Sequence, residues 1–236
     1  MSAAVKKHLK KIPIFFIAVF LSSCSFNGPE IPELSVKILK IETDKNSIEE
    51  RLSVFLLYKD ENGRSDYSSI QVVHLESGFT WVLNRENSAF FSSALLRASD
   101  AEKILWAGSN KIADPFGRIP LGEYSVIAED LSGNRAIKKI TIRDSEVISS
   151  LPFTFKIQNK RWKIEASSGV RFKNFSLILL GADKQPLFAK ILPYRSEYDD
   201  SLEPLLEKYP DTRYVQCMAQ KDGADIAYLT KYHSLY

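Results

Sequence analysis

Residues 120–134 read Pro120-Leu-Gly-Glu-Tyr-Ser-Val-Ile-Ala-Glu-Asp-Leu-Ser-Gly-Asn134 and run on into Ala136-Ile-Lys-Lys-Ile-Thr-Ile142. Tyr124, Val126 and Ala128 alternate along the first arm, and Ile140 and Ile142 along the second. This period of two is that of a half-buried strand. A turn rich in Asp, Ser, Gly and Asn joins the arms, so the stretch is a β-hairpin.

The same signals recur on both sides of it. Leu34, Val36 and Ile38 alternate with Ser35 and Lys37, and Leu52 to Tyr58 is a second apolar run. Asp60-Glu-Asn-Gly63 carries an Asn-Gly pair, the strongest short-range hairpin signal. Tyr67 to Leu75 and Phe79 to Leu83 are the next expected strands, with Ser77-Gly78 between them. Residues 86–118 carry no single reading: Ser88 to Arg97 fits a short helix or a strand, and Ile104 to Ala107 reads as extended. Beyond the hairpin, strands are expected at Phe153 to Ile157, Arg161 to Ala166, Phe175 to Leu180, Leu187 to Ile191, Tyr214 to Ala219 and Ala224 to Tyr232, with turns at Asn159-Lys160, Asp183-Lys184 and Asp222-Gly223. One short helix is expected between Ser201 and Pro210, with Pro204 in its first turn. No internal repeat is read between the two halves.

The hairpin resembles the closing hairpin of immunoglobulin-like and fibronectin-like domains of bacterial surface proteins, through Pro120, Gly122, Tyr124, Val126, Ala128, Asp130, Gly133 and Asn134. The resemblance covers about 25 residues. It implies that Tyr124 packs into a sandwich and that Asp130 and Asn134 shape the turn rather than bind calcium. The expected fold is all-β: two small antiparallel β-sandwich domains, the first immunoglobulin-like. The first spans 34–144 and the second, a β-rich unit with one short helix, 151–236. The polar run Arg143-Asp-Ser-Glu-Val-Ile-Ser-Ser150 lies between them.

The N-terminus has a separate logic. Lys6, Lys7, Lys10 and Lys11 precede the apolar run from Ile12 to Leu21, followed by Ser22-Ser23-Cys24. A basic segment and a short apolar one make a secretory signal, and the run is shorter than the ~20 residues of a spanning helix. Leu21-Ser-Ser-Cys24 resembles the bacterial lipobox, with Ser23 where Gly or Ala is usual, a looseness common in spirochaetes. The resemblance implies cleavage after residue 23, lipid on Cys24 and membrane anchoring through that lipid. Stable anchoring takes more than one acyl chain. Residues 24–33 are then a lipidated tether. Ser25 after the cysteine favours the outer membrane over the inner, with the protein periplasmic or surface-exposed.

Charge excludes a class of partner. The chain has 32 basic and 29 acidic residues, and without residues 1–23 the balance is 28 against 29, or −1. There is no basic footprint for nucleic acid. With Cys24 lipidated, Cys217 has no partner for a disulfide and reads as a buried strand residue. His74 and His233 lie in different halves, and no cysteine pair or His-Glu motif accompanies them, so neither a metal nor a cofactor is expected. An EF-hand reading of Asp60 to Asp66 fails on ligand spacing. No nucleophile elbow or phosphate loop is present. Glu197, Asp199, Asp200 and Glu203 are the candidates for a carboxylate pair, but acids before a helix are normally caps and dipole partners.

Seven of the ten tyrosines fall in the last 43 residues. Tyrosine suits interfaces, so Tyr194, Arg195, Tyr198, Tyr214, Tyr228 and Tyr232 are the candidate binding surface. Trp81, Trp106 and Trp162 are scattered and read as core. The expected function is a non-enzymatic, lipid-anchored envelope module that contacts an envelope protein. The alternative is binding of a glycan or small molecule on the Tyr-rich face.

Overall fold

The structure, a computed structural model, describes residues 28–92, 103–143 and 146–235. It is almost entirely β. The first half runs β1 (Leu34–Glu42), β2 (Ile48–Lys59), β3 (Tyr67–His74), β4 (Thr80–Leu83), β5 (Ala89–Ser92), β6 (Ile104–Ile112), β7 (Gly122–Asp130) and β8 (Arg135–Ile142). These form two facing sheets of order β4-β3-β7-β8 and β1-β2-β6-β5. Leu52, Val54, Leu56 and Tyr58 form the inward row of β2, none of them measurably exposed. They meet Ile70, Val72, Val126 and Ala128 from the other sheet in one cluster. Each such aliphatic side chain contributes roughly 1.5–3 kcal/mol by leaving water. Tyr124 is fully buried, and its hydroxyl donates to the Pro120 carbonyl at 2.6 Å, locking the entry to β7.

The second half runs β9 (Phe153–Gln158), β10 (Arg161–Ala166), β11 (Phe172–Leu180), β12 (Pro186–Pro193), β13 (Glu197–Ser201), a helix α1 (Glu203–Lys208), β14 (Tyr214–Lys221), β15 (Ile226–Leu229) and β16 (His233–Ser234). Its sheets are ordered β13-β10-β9 and β12-β11-β14-β15. They enclose a second cluster around Trp162, Ile164, Phe175, Leu177 and Cys217. Asn159 and Lys160 have φ of 51° and 58°, as a two-residue hairpin turn with both centres left-handed requires.

Strand order repeats where sequence does not. β1-β2-β6 and β9-β10-β13 occupy equivalent places, as do β4-β3-β7-β8 and β12-β11-β14-β15. Burial pattern and turn chemistry can specify such an arrangement without a readable sequence repeat.

The two halves are joined edge to edge. β1 pairs β15 in parallel, Ile38 to Ile41 against Ile226 to Leu229, and the Ile38 amide donates to the Asp225 carbonyl at 2.8 Å. One sheet therefore runs β12-β11-β14-β15-β1-β2-β6-β5 through both sandwiches. Within each half every ladder is antiparallel, as expected; the parallel pair joins the two. Each strand would otherwise be an open edge, and pairing them satisfies both.

Charge is buried at the joint. Lys40 on β1 is 1% exposed, and its ammonium donates to Glu50 Oε1 at 2.5 Å and to the Glu146 carbonyl at 2.6 Å. Glu146, from the connection between the halves, also accepts from Lys221 and from the Tyr228 hydroxyl.

Three expectations change in detail. Asn62-Gly63 is not a hairpin: a 3-10 turn over Gly63–Ser65 carries the chain from β2 in one sheet to β3 in the other. The acids before α1 form strand β13, because Glu197 and Asp199 meet Lys163 and Arg161 across the ladder with β10. Residues 28–33 are no free spacer. Pro29 and Ile31 are buried, and Glu30 bridges to Lys59, because these apolar groups close one end of the first core.

Removing Glu50 takes one carboxylate away from the buried Lys40. Glu50→Ala is expected to cost ~3–5 kcal/mol in denaturant unfolding, and adding Lys40→Met should recover part of that loss. A double variant as unstable as Glu50→Ala contradicts this account of the joint.

Candidate functional site

The expected Tyr-rich surface is not a single surface. Tyr194, 41% exposed, packs on Phe172 and Phe175, and Tyr198 stacks on Trp162 with Arg195 over its ring. The Tyr198 hydroxyl donates to the Pro193 carbonyl. This group sits where Asn174 of β11 pairs Pro193. Tyr214 and Tyr232 meet edge to face, with Lys184 over both rings, where Leu180 of β11 pairs Tyr214. The six steps from Asn174 to Leu180 separate the groups by about 20 Å of strand. Tyr228 is fully buried, with its hydroxyl on Glu146. The sequence could not show this, because clustering along the chain is not clustering on a face.

Two grooves lie among the described residues. One, of about 770 Å³, lies at the joint and is lined by Leu34–Ile38, Lys139–Arg143 and the turn Gly223–Ile226. The other, of about 760 Å³, runs beside β4 and the end of β6, from Thr80 to Ala113. Neither is lined by a tyrosine.

The groups considered for chemistry are held in structural roles. His74 is 4% exposed. Its Nε2 lies 2.8 Å from the Leu121 carbonyl and its Nδ1 2.7 Å from the Ser77 hydroxyl. Since a carbonyl only accepts, Nε2 carries the proton and Nδ1 accepts from Ser77. Glu197 and Asp199 are paired with Lys163 and Arg161 on an exposed sheet, and Asp200 accepts the Ser201 amide. Cys217 is fully buried, and burial pushes its thiol well above the usual range.

Three aspartates are brought together that sequence reading kept apart. Asp60 ends the inward row of β2, Asp66 precedes β3 and Asp130 closes β7. One carboxylate oxygen from each lies within 4.8 Å of the other two. Asp60 is 3% exposed, Asp130 2%, and Asp66 is half-buried. Asn62 donates from its backbone to Asp60 Oδ1 at 2.8 Å and from its side chain to Asp66 Oδ2 at 2.9 Å. Asn134 donates from backbone and side chain to the two oxygens of Asp130, both at 2.8 Å. The turn-shaping role expected of Asp130 and Asn134 is thus present, and Asp130 also joins a cluster. The signal was the Asp-x-Asn of 60–62 in the crossover opposite the Asp-Leu-Ser-Gly-Asn of 130–134, legible only once β3 is known to pair β7.

Burial pushes the Asp60 carboxyl above the ordinary range, and Asp66 and Asp130 act in the same direction, against the Asn62 and Gly63 amides. Asp60 Oδ2 and the Tyr58 hydroxyl are buried without a hydrogen-bond partner. Among the described residues, no lysine or arginine forms an ion pair with these aspartates.

No family model and no curated protein matches this chain. Among solved structures, the dimeric latent PorU of Porphyromonas gingivalis is similar to it at a TM-score of 0.35 and 12% identity, over 88% of this chain. The chain spans 20% of the length of that protein. No helix among the described residues is long and apolar enough to cross a membrane. Cys24 and the segment before it lie outside the described residues.

Two outcomes follow. Native Cys217 should resist a thiol reagent and react fully once the chain is unfolded; prompt reaction in the folded protein contradicts its placement. Burial lowers the pKa of His233, with Glu42 opposing and Lys231 assisting. The unfolded chain therefore binds the proton more readily, and stability falls as pH drops below the usual value of about 6.5. Melting curves between roughly pH 7.5 and 5 should show the wild type losing stability relative to His233→Phe.

Proposed function

We propose that this protein is a non-enzymatic module of the bacterial cell envelope, held at a membrane through lipid on Cys24 and acting by contact with an envelope protein. Its first half is read as immunoglobulin-like. The strand orders β1-β2-β6-β5 and β4-β3-β7-β8 correspond to the two sheets of such a sandwich, and the Tyr124 hydroxyl bond to Pro120 corresponds to its tyrosine corner. Fold alone does not choose a function; the surface carries the reading.

The observation that carries it is the outer face of the long sheet. Cross-strand register places Ile191, Ser176, Met218, Leu229 and Ile41 in one row, from edge strand β12 across the joint onto β1. Ile191 is 71% exposed, and Leu187 on the same face of β12 is 41% exposed. Such a strand normally shows polar side chains to solvent. A row that is apolar except at Ser176, carried on one continuous sheet, fits the buried centre of a protein contact. The tyrosine-lined glycan or small-molecule site has no such support, because the tyrosines are divided between two places.

A photo-crosslinking side chain at position 187 in intact cells should recover one reproducible envelope protein, and adding Ile191→Lys should reduce that recovery about tenfold, as loss of a contact residue does. Recovery of the same protein from position 156, on β9 of the opposite sheet, or undiminished recovery with Ile191→Lys, contradicts the assignment.

A further inference from the structure

We propose that Asp60, Asp66 and Asp130 form a calcium site at the end of the first sandwich where the chain enters. Two separate connections, β2–β3 and β7–β8, converge there, and the two asparagines orient the carboxylates without neutralising them. A structural turn needs one aspartate capped by amides, as Asn134 caps Asp130. It does not need three carboxylates with oxygens within 4.8 Å and two of the residues buried. Charges so placed are retained when they are paired or coordinate a metal.

An independent group points the same way. Tyr58 lies two residues before Asp60 on the inward face of β2, is fully buried, and has a hydroxyl with no hydrogen-bond partner among the described residues. Its ring packs edge-on against that of Tyr67, the residue next to Asp66, with centroids 5.5 Å apart. Asp60 Oδ2 is likewise buried and unbonded. Polar atoms left unbonded together at the end of a core mark a place for an ion and its water.

The donor set selects the ion. Hard oxygen ligands without histidine or cysteine suit calcium or magnesium rather than a transition metal. Three carboxylates on one site suit calcium, which takes six to eight oxygen ligands in flexible geometry, whereas magnesium is usually held by one or two carboxylates and keeps several waters. The site also sits beneath the incoming chain. Glu30 bridges to Lys59 next to Asp60, and a Cβ at Gly28 would lie 2.7 Å from Cβ of Asn134. A bound ion would therefore fasten the start of the sandwich to its two crossing loops.

The test is thermal unfolding of the full-length protein in detergent, with EDTA, magnesium or calcium. Calcium at ~100 times its Kd should raise Tm by about 5–10 °C over EDTA. Asp60→Asn, which removes one buried charge, should melt at or above the wild type in EDTA and lose the calcium response. Terbium binding provides the readout if that variant does not fold: tyrosine-sensitised emission should appear on the wild type, be displaced by calcium, and be lost in Asp66→Asn. Equal Tm in EDTA and calcium, an equal response to magnesium, a calcium response retained in Asp60→Asn, or terbium emission that calcium does not displace would each overturn the proposal.

Discussion

The rest of the structure depends on the parallel ladder between β1 and β15. Four residues of each strand pair, Ile38 to Ile41 with Ile226 to Leu229, and they turn two small sandwiches into one sheet. Without that ladder, β1 would be the edge of the first half and β15 the edge of the second. Each would expose a row of unpaired amides and carbonyls. With it, Lys40 loses its water, and Glu50 and the Glu146 carbonyl must supply what the water did. The connection between the halves therefore contributes bonds to the joint as well as length.

The apolar row on the outer face exists only because of this joint. Ile191, Met218 and Leu229 belong to the second half and Ile41 to the first, and they align because Ile41 pairs Leu229. A contact surface built this way is as rigid as the sheet beneath it, which limits the entropy lost on docking. The acid cluster stands at the opposite kind of place, where the first core ends and Tyr58 and Asp60 replace the aliphatic side chains of β2. The cluster follows from the alternation of one strand: β2 buries Leu52, Val54, Leu56 and Tyr58, and Asp60 comes next in the row just past its end.

Most strands were legible in the sequence, because period-two alternation and Gly, Asn and Asp turns are local signals. The hairpin of 120–142 shows this best: Tyr124, Val126 and Ala128 alternate in the chain and are all buried in the fold. Features set by distant pairing were not legible. Nothing near Asn62-Gly63 says whether the next strand joins the same sheet or crosses to the other. The acids of β13 read as helix caps because their partners, Lys163 and Arg161, lie 34 to 38 residues earlier in the chain. The tyrosines read as one surface because chain proximity was the only measure, and β11 carries them to its two ends. The cluster of Asp60, Asp66 and Asp130 needed the β3–β7 register, which no local pattern encodes.

Amide hydrogen exchange at Ile38 tests the central claim most directly. Its amide donates to the Asp225 carbonyl across the joint. If the two sandwiches form one body, this amide exchanges as slowly as amides inside the β2 and β14 ladders, with protection lost only on global unfolding. Exchange as fast as that of an exposed edge strand, with β2 and β14 still protected, would show that the halves part independently and would contradict the account.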